Sequence, residues 1–336
     1  MVGAGENFTS YKRHNRILLM LKNKIYRQVK KGTHTVSRCE LVNEPVVSVL
    51  LMSYNAGKFI KNALDGILEQ NDYYTFEVII SDDFSHDETQ DFLRPLISKY
   101  PNRVKIMWSK WNLGPDSGMC NFVRCLAEAR GKYVAICEAD DFWCESNKLK
   151  DQVSFLEKNP EYVCSFTQAN VENHGHDFGH LTELYANRKE LWKPEEILDE
   201  DFQCATAGMV FRRDVVKKLP SWFFNTAYFD RPIRGLLAKY GKFHCLQRKA
   251  VTYRSNNWGT WHKLRELGVA NSWVESHKVF KGLASYHKEH RPQLAARRDE
   301  LAHKIYKKQG GVKYWLGSMR HKLRTHTTKN SNPILA

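Results

Sequence analysis

The chain has 336 residues, 42% hydrophobic and 12% aromatic, with 52 Lys and Arg against 37 Asp and Glu. That content fills a sizeable core and excludes a wholly disordered chain, while no apolar run reaches the roughly 18 residues that span a bilayer. The net charge of +15 is uneven: residues 1–44 hold nine basic and three acidic side chains, residues 288–336 twelve and three, and residues 45–287 thirty-one of each.

The first expected element is a helix over RHNRILLMLKNKIYRQVKK (13–31), where Leu18, Leu21, Ile25 and Val29 share one face among Lys22, Lys24, Arg27, Lys30 and Lys31. The neutral unit begins near residue 45. VVSVLLMSY (46–54) is an apolar run of strand length, and GKFIKNALDGILEQ (57–70) has helical apolar spacing. FEVIISDD (76–83) predicts a second strand, and HDETQDFLRPLISKY (86–100) a helix with acids in its first turn, as the helix dipole favours. RVKIMWS (103–109) predicts a strand, 116–130 a helix, KYVAICEAD (132–140) a strand, NKLKDQVSFLEKN (147–159) a helix and YVCSFTQA (162–169) a fifth strand. This alternation predicts an α/β fold with a mostly parallel sheet flanked by helices. Residues 170–203 are polar, acidic and aperiodic, and read as an insertion or lid. Strand and helix signals return in ATAGMVFRRDVVKKL, RPIRGLLAKYG and FHCLQRKAVTYR. The expected plan is a basic extension over 1–44, a central domain over 45–265 divided at 169/170, and a basic helical extension and tail over 266–336.

In open parallel sheets, ligands gather outside the carboxyl ends of the strands. Two acidic clusters fall there: Asp82 and Asp83, and Glu138, Asp140 and Asp141. Like charges held close repel, and each desolvated carboxylate costs several kcal/mol unless compensated. A hard divalent cation compensates them, because carboxylate oxygens are its preferred ligands. A single pair of this kind would read as a solvated turn; two at strand ends favour a ligand. Neither G-x-G-x-x-G nor G-x-x-x-x-G-K-[ST] follows the first strand, so a nucleotide's phosphates would rest on a metal and not on a glycine cradle.

VSVLLMSYNAGKFIKNALDGILEQ, EVIISDDFSHDET, NLGPDSGMCNFVRCLAEARGKYVAICEADDFW and NKLKDQVSFLEKNPEYVCSF resemble the successive blocks of the family 2 glycosyltransferases. The resemblance is dense over 46–170 and thinner to about 261. It implies a GT-A fold, with a nucleotide-sugar-binding half over 45–169 and an acceptor-binding half over 170–265. It implies inverting transfer of a sugar, most readily from a UDP-linked donor with Mn²⁺ or Mg²⁺, to a glycan or lipid-linked acceptor. Tyr54 and Asn55 begin the implied donor pocket, and Asp82 and Asp83 match the pair that contacts base and ribose. Glu138-Ala139-Asp140 matches the D-x-D motif that holds the metal, with Glu in place of the first Asp. Asp140 is the expected direct ligand, Glu138 a second, and Asp141 an assistant.

The implied general base is Asp230 in YFDRPI, which also lies where it would cap the following helix. Glu200, Asp201 and Asp214 stand in reserve. YRSNNWGTWHK (253–263) resembles the family's closing loop, with Arg254 and His262 as candidates for the diphosphate and Trp258 and Trp261 for a sugar face. HGHDFGH (174–180) matches no metal-ligand spacing and reads as a surface loop.

The basic ends suit a peripheral site on an anionic membrane surface, or packing on the domain or a second subunit. The start MVGAGENFTS lacks a secretory pattern, and the eight cysteines show neither a CxxC pair nor zinc spacing, which predicts a cytoplasmic, reduced chain. Two other classes fit worse. A nucleic-acid-binding protein would not set acids at the strand ends, and a nucleotidyltransferase would bring a richer Gly/Arg/Lys loop after the first strand than SYNAGKF.

Overall fold

The computed structural model describes residues 33–37, 44–114, 117–174, 186, 189–199, 201–256 and 269–308. In chain order its strands are β1 (Thr33–Ser37), β2 (Val47–Ser53), β3 (Phe76–Asp82), β4 (Val104–Ser109), β5 (Tyr133–Glu138), β6 (Phe142–Trp143), β7 (Tyr162–His174), β8 (Leu191–Trp192), β9 (Val210–Arg212) and β10 (Lys242–Asn256). The helices are α1 (Ile60–Leu68), α2 (Thr89–Lys99), α3 (Ser117–Glu128), α4 (Lys148–Lys158), α5 (Pro194–Ile197), α6 (Asp230–Leu237), α7 (Val269–Tyr286) and α8 (Arg291–Lys308).

Among the described residues the strands form one sheet in the order β1-β4-β3-β2-β5-β9-β7-β10-β6, with β8 paired to β10. β4, β3, β2 and β5 run parallel. β9 lies antiparallel to both β5 and β7, and β7 is parallel to β10. Every residue of β2 and β3 is buried, as expected of central strands covered on both faces. α3 packs on β2 and β3, α1 on β6, and α4 on β7. Ile60, Ala63, Leu64 and Ile67 form the buried stripe of α1, each larger side chain contributing about 1.5–3 kcal/mol by leaving water. The expected α/β architecture is therefore present.

Three boundaries differ from the sequence reading. β1 lies inside the segment read as an extension and pairs antiparallel with β4 at the sheet edge. β7 continues five residues past Ala169 because β10 supplies backbone partners as far as His174. The segment read as a lid also contains β8 and α5, with Cys245 N–H bonded to Glu190 O at 2.7 Å. The helix expected over 13–31, residues 175–185 and the chain after 308 lie outside the described residues. The chain divides near residue 260 into two compact units, and the described residues of the second form α7 and α8, which pack on each other.

Candidate active site

β2 separates the two acidic strand ends. Ser53 is in register with Asp82, and Met52 with Glu138 on the other side. Two strand spacings make about 10 Å. The chain leaves β2 between them at Tyr54, whose ring is exposed, and Asn55. Asn55 and Phe84 both have positive φ, 46° and 63°, a conformation that costs energy for residues with side chains. Cross-loop bonds hold it. Asn55 N–H donates to Ser85 Oγ at 2.9 Å, and Asn55 Oδ1 accepts from His86 N–H at 3.0 Å.

Asp82 and Asp83 are fully buried. Ser85 donates its N–H and hydroxyl to the two Asp82 oxygens, at 3.1 and 2.6 Å. Asp83 accepts Leu113 N–H at 3.0 Å and the Asn112 amide at 3.1 Å, which anchors the turn beyond β4. Burial pushes both carboxyls above the usual range, Asp83 to about 6, opposed by these hydrogen bonds and by the Arg124 guanidinium.

The second cluster lies on the turn from β5 to β6. Ala139 N–H donates to Met52 O at 3.0 Å and Asp141 N–H to Glu138 O at 3.1 Å, which fix the turn against β2. α1 approaches it closely, because a Cβ on Gly66 would collide with the Trp143 carbonyl oxygen. β10 closes the other side. The Asn256 amide donates to Asp140 Oδ2 at 2.8 Å, and Arg254 N–H to Asp141 Oδ1 at 2.8 Å. The Arg254 guanidinium donates to Glu172 Oε2 at 3.0 Å and to Asp140 O at 3.3 Å, and lies 4.4 Å over the Phe142 ring.

Burial is the main cause raising all three carboxyls of this turn. Glu138 reaches about 8, with repulsion from Asp140 and Asp230 added. Asp140 is raised as well, with the Asn256 amide and Arg254 opposing the shift. Asp141 is raised well above the usual range, with Asp140 and Glu138 adding to burial.

Asp230 opens α6. Phe229 occupies the cap position, so Asp230 is the first helical residue and not the cap. Glu138 Oε2 and Asp230 Oδ1 are buried without a hydrogen-bond partner. Glu77, buried at the opposite end of the sheet, shows the contrast. It accepts from the Ser48 hydroxyl at 2.6 Å, from Arg130 N–H at 2.9 Å and from Arg130 Nε at 3.0 Å. The fold satisfies a structural carboxylate fully and leaves acceptor oxygens bare at the rim.

Among the described residues no three His, Cys, Asp or Glu side chains gather closely enough to hold an ion alone. The all-oxygen donors of Glu138 and Asp140 fit a hard cation that completes its coordination with phosphate oxygens, the usual habit of Mg²⁺. Of the reserve carboxylates, Asp201 is exposed, and Asp214 follows Arg212, the register partner of Tyr133 at the far end of β5. Glu200, Trp258, Trp261 and His262 lie outside the described residues, as does the His-rich loop beyond His174. His174 itself closes β7, 3.5 Å from Glu172.

Sequence reasoning did not single out Asn256, Glu172, Ser85, Ser109 or Arg124. Asn256 reaches Asp140 across 116 positions and Glu172 meets Arg254 across 82, whereas Ser85 bonds Asp82 from three positions away.

A family model described as glycosyl transferase family 2 matches residues 48–219. An uncharacterised Mycobacterium tuberculosis protein, Rv1520, is 30% identical over 218 residues, 64% of this chain and 60% of the relative. An inferred teichuronic acid biosynthesis glycosyltransferase of Bacillus subtilis, TuaG, is 33% identical over 124 residues, 37% of this chain and 46% of the relative. The chain thus spans about 60% of the length of the first of these relatives. Residues 1–349 of Staphylococcus aureus TarS in complex with UDP-GlcNAc superpose with a TM-score of 0.57 at 15% identity, covering 78% of this chain and 72% of that one. At that identity the likeness is one of fold.

Proposed function

We propose a reaction for a chain that belongs to glycosyl transferase family 2: inverting, metal-dependent transfer of a sugar from a nucleotide-sugar, UDP-linked by preference, to a hydroxyl of a glycan or lipid-linked acceptor in surface polysaccharide synthesis. The observation that carries it is the pairing of two acidic strand ends around β2, with bare oxygens on Glu138 and Asp230. Asp82 and Asp83 face the base and ribose, with Tyr54 and Asn55 lining the entrance. Glu138 and Asp140 hold the divalent cation, and Asp141 braces their turn against β10. When bound, that cation offsets the negative charge that builds on the departing diphosphate. Arg254 turns its guanidinium from Glu172 to the same diphosphate. The bare oxygen of Asp230 takes the proton of the acceptor hydroxyl as that oxygen attacks the anomeric carbon. The UDP preference is supported by the TarS complexes, and the polysaccharide acceptor by TuaG. No described helix is long and apolar enough to cross a membrane, and the basic ends suit peripheral attachment.

Kinetics with UDP-GlcNAc and other nucleotide-sugars test the assignment. Asp230→Asn is expected to lower kcat about 10²–10⁴-fold with donor Kd little changed, as loss of a general base does. Asp140→Ala is expected to abolish Mn²⁺-dependent donor binding without lowering the melting temperature of the free protein. Near-normal turnover in either variant rejects that residue's role.

A further inference from the structure

The paired ends of β7 and β10 carry an ion pair beside the β5–β6 turn. Arg254 and Glu172 are register partners on these parallel strands. Arg254 Nε donates to Glu172 Oε2 at 3.0 Å, and Nη1 donates to Asp140 O at 3.3 Å. The guanidinium lies 5.0 Å from the Phe59 ring, just ahead of α1, and 4.4 Å from the Phe142 ring of β6. A guanidinium carries more N–H donors than these two bonds use.

The two partners sit differently. The Arg254 side chain is 7% exposed and that of Glu172 45%. Two rings and a backbone carbonyl therefore fix the cation beside Asp140, while its counter-ion reaches it from the solvent side. His174 Nε2 lies 3.5 Å from the same Glu172 oxygen, and the His174 ring meets Phe59 edge-on at 5.4 Å. Glu172 keeps this neighbour when Arg254 leaves it.

We propose that Glu172 is a positioning residue for donor binding, a resting counter-ion that holds Arg254 beside Asp140 and yields it to the donor's diphosphate. The proposal rests on the nucleotide-sugar reading. Relative strength sets the direction of exchange. A single half-exposed pair is weak, because water screens it. A diphosphate carries more charge, and its oxygens accept parallel, charge-assisted N–H bonds from a guanidinium. Opening the pair costs the donor part of its affinity. Re-forming it helps to expel the nucleoside diphosphate after transfer. Phe59 and Phe142 keep the guanidinium near Asp140 in both states.

Calorimetric titration of UDP and UDP-GlcNAc with Mg²⁺ compares wild type, Glu172→Gln, Arg254→Met and the double variant, and kinetics supply the donor KM. Glu172→Gln keeps the size and an acceptor oxygen and loses the charge. It is expected to bind both ligands about two- to fivefold more tightly, the range of an exposed ion pair, with donor KM and the UDP inhibition constant falling together. Arg254→Met is expected to weaken binding, and Glu172→Gln added to it to change nothing further. Equal or weaker binding in Glu172→Gln overturns the proposal, because a brace that only holds the strands loses affinity when cut. A gain that persists without Arg254 also overturns it, since Glu172 then repels the diphosphate directly. ¹⁵N NMR of the Arg254 Nε–H, assigned by its move in Glu172→Gln, decides the case should Arg254→Met not fold. UDP with Mg²⁺ is expected to shift that resonance in wild type, and an unmoved resonance overturns the proposal. Wild type that binds neither UDP nor any nucleotide-sugar overturns the proposed function and this proposal with it, whereas wild-type binding matched by Glu172→Gln removes this proposal alone.

Discussion

Glu138 Oε2 is buried with no hydrogen-bond partner, in a carboxyl that holds its proton to about pH 8 against an ordinary value of 4.5. A folded-state value raised above the unfolded one means that the native protein keeps a proton the unfolded chain releases. Its stabilising share is complete below about 4.5 and lost as pH rises through 8. The metal-free protein is therefore expected to lose melting temperature from pH 4.5 to 8, and Glu138→Gln to flatten that slope, as scanning calorimetry would record. Unchanged slope in the variant assigns the loss to another group. The individual acids of the rim were legible in the sequence, because each stands beside the strand it terminates. Their partners were not. Arg254 N–H reaches Asp141 across 113 positions and Leu113 N–H reaches Asp83 across 30, and a hydrogen bond between distant segments leaves no local pattern to read.

Strand and helix alternation over 46–169 was readable because central parallel strands are continuous apolar runs and the covering helices are amphipathic. β1 was not, since THTVS carries little apolar signal and is held at the edge by backbone pairing with β4. β7 past Ala169 is mostly exposed or half-buried, and backbone bonding to β10 outweighs its weak side-chain pattern. This extension matters to the site because it carries Glu172 to Arg254. The contact of α1 with β6 makes a separate prediction. Gly66→Ala forces a methyl group against the Trp143 carbonyl and is expected to cost about 1–3 kcal/mol by overpacking. Urea unfolding measures it, and a loss below 0.5 kcal/mol, roughly the range of a neutral surface change, contradicts the close approach.

On the scale of the whole chain, charge and chemistry are separated. The neutral segment 45–287 holds the acidic rim, and the excess of basic residues falls in the two ends. Juxtamembrane Lys and Arg contribute about 1 kcal/mol each near an anionic surface, and salt screens them. The full chain is expected to co-sediment with vesicles containing phosphatidylserine at low salt and to release at high salt. Failure at low salt rejects the peripheral-membrane reading and leaves the enzyme reading untouched. Net charge by segment was legible in the sequence; the acceptor was not, because the residues that would select it lie where the family resemblance thins. The account stands most directly on isothermal titration of UDP-GlcNAc and UDP into the full chain, with and without Mn²⁺. It predicts binding that requires the metal and disappears in Asp140→Ala. Equal affinity without metal, or undiminished binding in Asp140→Ala, would contradict it.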